Sequence, residues 1–118
     1  MRFEERPGYL LAHVSGPRDT LDVSLGYWRA IVAEVQRSGH TRLLVVEDFP
    51  NDISTLDMLR VVNFLVDLGL RHVRTAFVDK RNDHLARNLL GEVVVVAHGL
   101  PAKVFASVQE AERWLLKQ

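Results

Sequence analysis

No cysteine occurs in the 118 residues. That removes disulfides, thiolate metal ligands and cysteine nucleophiles, and it fits a cytoplasmic protein. An excess of charge of one sign is also missing: fifteen Lys and Arg balance fifteen Asp and Glu. Nothing therefore drives counterion release from nucleic acid or long-range attraction to an anionic membrane. No apolar run approaches the length of a membrane span, and the opening MRFEERPG places charges where a signal peptide needs an apolar core. Neither G-x-G-x-x-G nor the Walker pattern appears, so no Gly-rich phosphate loop is present. His13, His40, His72, His84 and His98 show neither H-x-H nor H-E-x-x-H spacing, and no metal or cofactor is expected.

What is present is an ordinary globular composition, 47% hydrophobic and 25% charged, in a length that suits one domain over residues 1–118. Turn signals come at short intervals, without linkers, repeats or low-complexity tracts. RFEER reads as a short edge strand before the Pro7-Gly8 turn, and YLLAHV (9–14) as a strand ended by Gly16-Pro17. A helix starts near Asp19 or Thr20, with Leu21, Leu25, Trp28, Val32 and Val35 as its apolar stripe, and closes at Ser38-Gly39. RLLVVEDF (42–49) holds four consecutive aliphatics, the habit of a strand buried on both faces. A helix over 54–68 and a strand over 73–79 follow. Strands alternating with helices argue for an α/β sheet with right-handed crossovers.

The segment NDHLARNLLGEVVVVAHG contains four consecutive valines, which favour a strand by propensity. Its helical projection nevertheless places Leu85, Ala86, Leu89, Leu90, Val93, Val94, Val96 and Ala97 on one half. His84, Arg87, Asn88, Gly91 and His98 fall on the other, with Val95 as the apolar exception. Period outranks propensity, and the spacing predicts a helix over 83–98, apolar side inward, capped by Asp83 and stopped at Gly99. AKVFA is then a last strand. SVQEAERWLLKQ is a last helix opened by Ser107 and Glu110, with Val108, Ala111, Trp114 and Leu115 inward.

The tail HGLPAKVFASVQEAERWL resembles the closing segment of SpoIIAA-like, STAS-related domains, through Gly99-Leu100, Val104-Phe105, Glu110-Ala111 and Trp114-Leu115. TAFVDKRN is similar to the strand and loop before that family's long third helix. The resemblance implies a mostly parallel five-stranded sheet, strands added in sequence order, an antiparallel N-terminal edge strand, four helices and a helical valine run. It also implies a role in binding. Relatives include anti-sigma-factor antagonists that bind protein under control of a serine phosphate, and domains compared with CRAL-TRIO lipid-exchange modules.

The regulated serine of such domains lies in an Asp-Ser-Ser-Gly-like motif at the second helix. The counterpart here, Asp52-Ile53-Ser54-Thr55-Leu56, departs from it: Ile53 intervenes and no glycine follows. Ser54 with Asp57, and Ile53 with Met58, have the spacings of a capping box and a hydrophobic staple. A cap therefore outweighs regulation at Ser54 and Thr55. Asp48, Asn51, Asp52, Asp79, Lys80 and Arg81 follow two strands at their carboxyl ends, where open α/β sheets bind ligands. Solvated loop residues compete with a ligand rim there. Asp79, Asp83 and His84 could imitate an acid-base site, although Asp83 has the spacing to pair with Arg87.

On the second helix, Met58, Leu59, Val61, Val62, Leu65, Val66 and Leu68 span half the circumference, and Leu56 and Phe64 lie in its polar arc. Leu56, Arg60 and Phe64 form a candidate interaction surface. The leading expectation is a non-catalytic module that binds protein, with self-association as one form. The alternative is a pocket of several hundred Å³ between the second and third helices and the sheet, for a lipid or small apolar ligand. An enzyme ranks third.

Overall fold

The computed structural model describes residues 1–117, Asn82 for its backbone alone. The elements are β1 (Arg2–Arg6), β2 (Tyr9–Ser15), α1 (Leu21–Ser38), β3 (Arg42–Asp48), α2 (Thr55–Val66), β4 (Arg74–Asp79), α3 (Leu85–Ala97), β5 (Ala102–Phe105) and α4 (Val108–Leu116). Single 3-10 turns at Leu70–His72 and Asn82–His84 precede β4 and α3. The sheet order is β1-β2-β3-β4-β5; β1 runs antiparallel to β2 and the remaining pairs are parallel.

This order has a geometric consequence. Three successive right-handed crossovers that step in one direction place their helices on one face of the sheet. α1, α2 and α3 accordingly share a core, and α4 closes the opposite face. The aliphatic run of β3 serves both: Leu43 and Val45 point into the larger core, Leu44 and Val46 into the smaller, all at most 1% exposed. On the α4 side, Ala111 and Leu115 are fully buried, Trp114 packs on Phe105 at 5.5 Å, and the Tyr9 hydroxyl donates to Glu112 at 2.6 Å. Val108, expected inward, is 38% exposed, since it stands at the first turn, beyond the sheet.

Local signals hold at most helix ends. Thr20, Ser54 and Ser107 each accept a first-turn backbone N–H, which satisfies one orphan donor per helix. Gly39 ends α1 with a left-handed φ of 75°. The inward stripe of α1 is rotated from its expected position. Tyr27 and Ile31 are buried while Leu21 and Leu25 are only partly so, because Tyr27 stacks on Phe49 at 6.0 Å and draws that side inward. α2 ends at Val66 rather than at residue 68, where the chain turns toward Gly69 at φ 83°.

α3 departs furthest. It is helical, as its period requires, but its apolar side faces out. Leu85, Ala86, Leu89, Leu90, Val93, Val96 and Ala97 are exposed, and Val94 is half-buried. Val95, the apolar exception on the polar half, is the buried residue. Tertiary hydrogen bonds decide the rotation. Asn88 Nδ2 donates to Asp79 Oδ2 at 3.0 Å, Arg87 Nη1 to the Ile53 carbonyl at 2.5 Å, and Glu92 Oε1 accepts the Val104 N–H at 2.6 Å. Gly91 lies on the same side, facing Met58 of α2. Asp83 does not cap: the helix begins at Leu85 with His84 at the N-cap position, and Arg87 turns to Ile53 and Asp52 instead of Asp83. At the other end His98 Nδ1 lies 2.8 Å from the Val94 carbonyl.

The rotation makes a paired test possible. Val95→Ala should lower stability by about 2 kcal/mol through lost burial and a residual void, whereas Val93→Ala should change it by less than about 0.5 kcal/mol, as for an exposed site. Urea denaturation of both variants measures the difference, and the inward apolar face expected from sequence requires the reverse order.

Candidate functional site

Glu47, next to last in β3, and Asp79, last in the neighbouring parallel strand β4, are paired in register. Residues in register share a face of the sheet, here the one covered by α1, α2 and α3. Both are buried, and so is Asp19, which precedes α1. Asn51 holds Asp19 by its backbone, accepting its N–H at 2.7 Å and donating to its carbonyl at 2.9 Å. The Ser24 hydroxyl donates to Asp19 Oδ1 at 2.8 Å. Three carboxyl groups thus gather at the carboxyl ends of the strands.

Their surroundings differ. Asp79 Oδ1 accepts the Arg81 N–H at 2.8 Å, while Oδ2 accepts Asn88 and lies 2.9 Å from His84 Nδ1. Among the described residues, the neighbour that bears on the Glu47 carboxyl through hydrogen bonding is another acid, Asp19. Burial, reinforced by the charges of Asp79 and Asp19, pushes the Glu47 carboxyl up to about 9. Burial likewise raises Asp19, against hydrogen bonds from Ser24 and Thr20, and raises Asp52, against the positive potential of His84 and Arg87. The Tyr27 hydroxyl is held well above its ordinary range by burial.

Beside Glu47 lies a cavity of about 140 Å³ between α1, α2, α3 and the sheet. Asp19, Glu47 and Asp52 contribute acids to its wall. Tyr27, Trp28, Met58, Val62, Leu65 and Val95 contribute apolar surface, and Arg87, Glu92 and Lys103 also line it. The pocket is where the second and third helices were expected to leave one, but it falls short of several hundred Å³.

The six-residue rim divides. Asp52 reaches the cavity. Asn51 is spent on Asp19, and Asp79 on His84, Asn88 and Arg81. Asp48 pairs with Arg81 at 3.2 Å, and Lys80 is exposed; neither lines the cavity. Asp79 and His84 do meet, but His84 is buried and absent from the cavity wall, a placement that suits a buried structural pair. Asp83 stays exposed. Among the described residues, no three His, Cys, Asp or Glu side chains could hold a metal ion.

At α2, Ser54 Oγ accepts the Asp57 N–H at 3.1 Å, while the Asp57 carboxylate pairs with Arg60 at 3.0 Å, so the reciprocal half of a capping box is not made. Thr55 and Leu56 are exposed. Phe64 is half-buried against the core, with the Arg29 guanidinium 5.0 Å from its ring centre. Glu47 and Tyr27 escaped the sequence reading, in which Asp19 figured as a helix start and Trp28 as a core residue. The available signal was a carboxylate directly after four aliphatics in a strand covered on both sides.

Two outcomes follow from this chemistry. A carboxyl with a raised folded-state pKa binds its proton more tightly in the native protein. Its contribution to stability is therefore present at low pH and is lost as pH climbs from its ordinary 4.5 toward about 9. Denaturation at several pH values should show stability falling by up to about 1.4 kcal/mol per pH unit in that window, and Glu47→Gln should flatten the decline. Ser54→Ala should cost about 1 kcal/mol, read by urea denaturation, as expected of a cap.

No protein-family model matches the chain, and no curated protein matches it, so the chemistry of the site stands on its geometry.

Proposed function

We propose that the chain is a non-catalytic, STAS-like binding module that docks a helix of a protein partner, in the first place a second copy of itself, on the outward side of α3. The sequential sheet with its antiparallel β1 agrees with the architecture that the resemblance implies. The observation that carries the reading is the exposed apolar side of α3. Ala86, Leu90, Val93 and Ala97 follow one another at four, three and four residues, the spacing of a seam that packs against another helix. Small residues at both ends of that seam allow close approach, and a two-fold axis across α3 would cover the same surface on both copies.

A membrane surface is the weaker occupant. An interfacial helix combines Trp or Phe with a fringe of Lys and Arg. α3 has no aromatic residue and no lysine, and its single arginine, Arg87, turns inward to Ile53. The described residues include no helix long and apolar enough to cross a membrane. An enzyme is disfavoured by the placement of His84 away from the cavity. A small-molecule binder remains the second reading, favoured by the acid-walled cavity.

Size-exclusion chromatography with light scattering tests the first reading. Wild type should run at twice the chain mass, while Leu90→Asp and Val93→Asp, both at exposed positions, should run at the chain mass with unchanged circular dichroism. A wild type that stays monomeric at the highest concentration reached, or charged variants that stay dimeric, would remove the α3 seam as the contact.

A further inference from the structure

Most buried polar groups of this protein are matched. Asp79 receives three partners, and among the described residues no side-chain nitrogen or oxygen is both sealed from solvent and unpartnered. Glu47 stands apart. It is 8% exposed, lines the cavity, and accepts no hydrogen bond from the described side chains. Its hydrogen-bonding neighbour, Asp19, is an acid that is 4% exposed and already takes the Ser24 hydroxyl. A proton shared between the two acids leaves Glu47 oxygen lone pairs at the cavity wall, with no donor among the described side chains to fill them.

The polar groups nearby have other contacts. Arg87 donates to the Ile53 carbonyl and lies 4.0 Å from Asp52. Lys103 is exposed, its ammonium 5.6 Å from the centre of the Phe105 ring. His84 is held against Asp79. Glu92 accepts the Val104 N–H. Around Glu47 the remaining ionisable groups are Asp19 ahead of α1, Tyr27 on α1, Asp52 ahead of α2 and Asp79 on β4. None of these four is cationic. Tyr27 and Trp28 add aromatic surface of the kind that attracts a cation.

We propose that this cavity binds a small organic cation, a primary amine on a compact apolar body, with the ammonium on the Glu47 and Asp19 carboxyls and the body against Trp28, Tyr27 and α2. A volume of about 140 Å³ is the liquid share of about five waters, enough for one ring or a short branched chain. The amine enters as its ammonium form. The Glu47 O–H bond breaks, its proton leaves to solvent, and a carboxylate–ammonium pair remains, so that one proton is released for each cation bound. Because Glu47 keeps its proton up to about 9, affinity for the cation rises with pH until that point. The site is separate from the α3 seam, and its failure would leave the docking reading untouched.

Isothermal titration of the full chain with cyclohexylamine, cyclohexanol and cyclohexanecarboxylate tests the proposal. Runs at about pH 6.5, 7.5 and 8.5, in buffers of different ionisation heat, report the released proton. The amine should bind, with affinity rising roughly tenfold per pH unit and with net proton release. The alcohol and the carboxylate should bind at least roughly tenfold more weakly. Glu47→Gln, which keeps the shape without the ionisable proton, should lose both the affinity and its pH slope. No amine binding, equal binding of the alcohol, or a Gln variant with wild-type affinity and slope would overturn the proposal. Should that variant fail to fold, the three probes on wild type decide alone.

Discussion

Asp79 stands at the end of β4 with its carboxylate buried beneath the start of α3, and it is satisfied by groups that α3 and the turn before it bring. His84 and Asn88 meet one oxygen, and the Arg81 N–H meets the other. A buried carboxylate left without such partners costs several kcal/mol, and Arg87 and Glu92 make two further tertiary hydrogen bonds from the same helix. These bonds together accompany the rotation of α3 about its axis. Once Asn88 is turned inward, Gly91, Glu92 and Val95 follow on the same side. The leucines and the other valines are carried outward because the helical period leaves them nowhere else.

That one rotation produces both surfaces of interest. Outside, it leaves an aliphatic seam without charge, of the sort that associates rather than dissolves. Inside, it places Arg87, Asn88, Gly91 and Glu92 beside Val95 at the wall of a cavity between α2, α3 and the strand ends. The seam and the cavity are two sides of a single helix orientation.

The two register-paired acids show how local supply decides chemistry. Asp79 is met by three donors, whereas Glu47, on the next strand at the same height, is met by an acid and an empty space. Equal positions in the sheet thus carry unequal electrostatics. The matched carboxylate is structural. The unmatched one is held protonated by burial and by its neighbours, and it is the group left with bonding capacity to offer.

The sequence determined the order of elements, the sheet class and the helix starts, because those rest on short-range causes. Alternation of strands and helices, the both-sides burial of Leu43 to Val46, and the capping spacings of Thr20, Ser54 and Ser107 are all read within a few residues. The helicity of the valine run was legible for the same reason, since period is a local property. Its facing was not, for the apolar half of a wheel points inward only when nothing stronger claims the other half. The claim came from Asp79, Ile53 and Val104, at sequence separations of 9, 34 and 12 from their α3 partners. The gathering of Asp19, Glu47 and Asp52 around one cavity depended likewise on strand register and loop placement. Only the tertiary structure decided these, because hydrogen-bond supply and desolvation at a point in space are set by residues that the linear chain keeps apart.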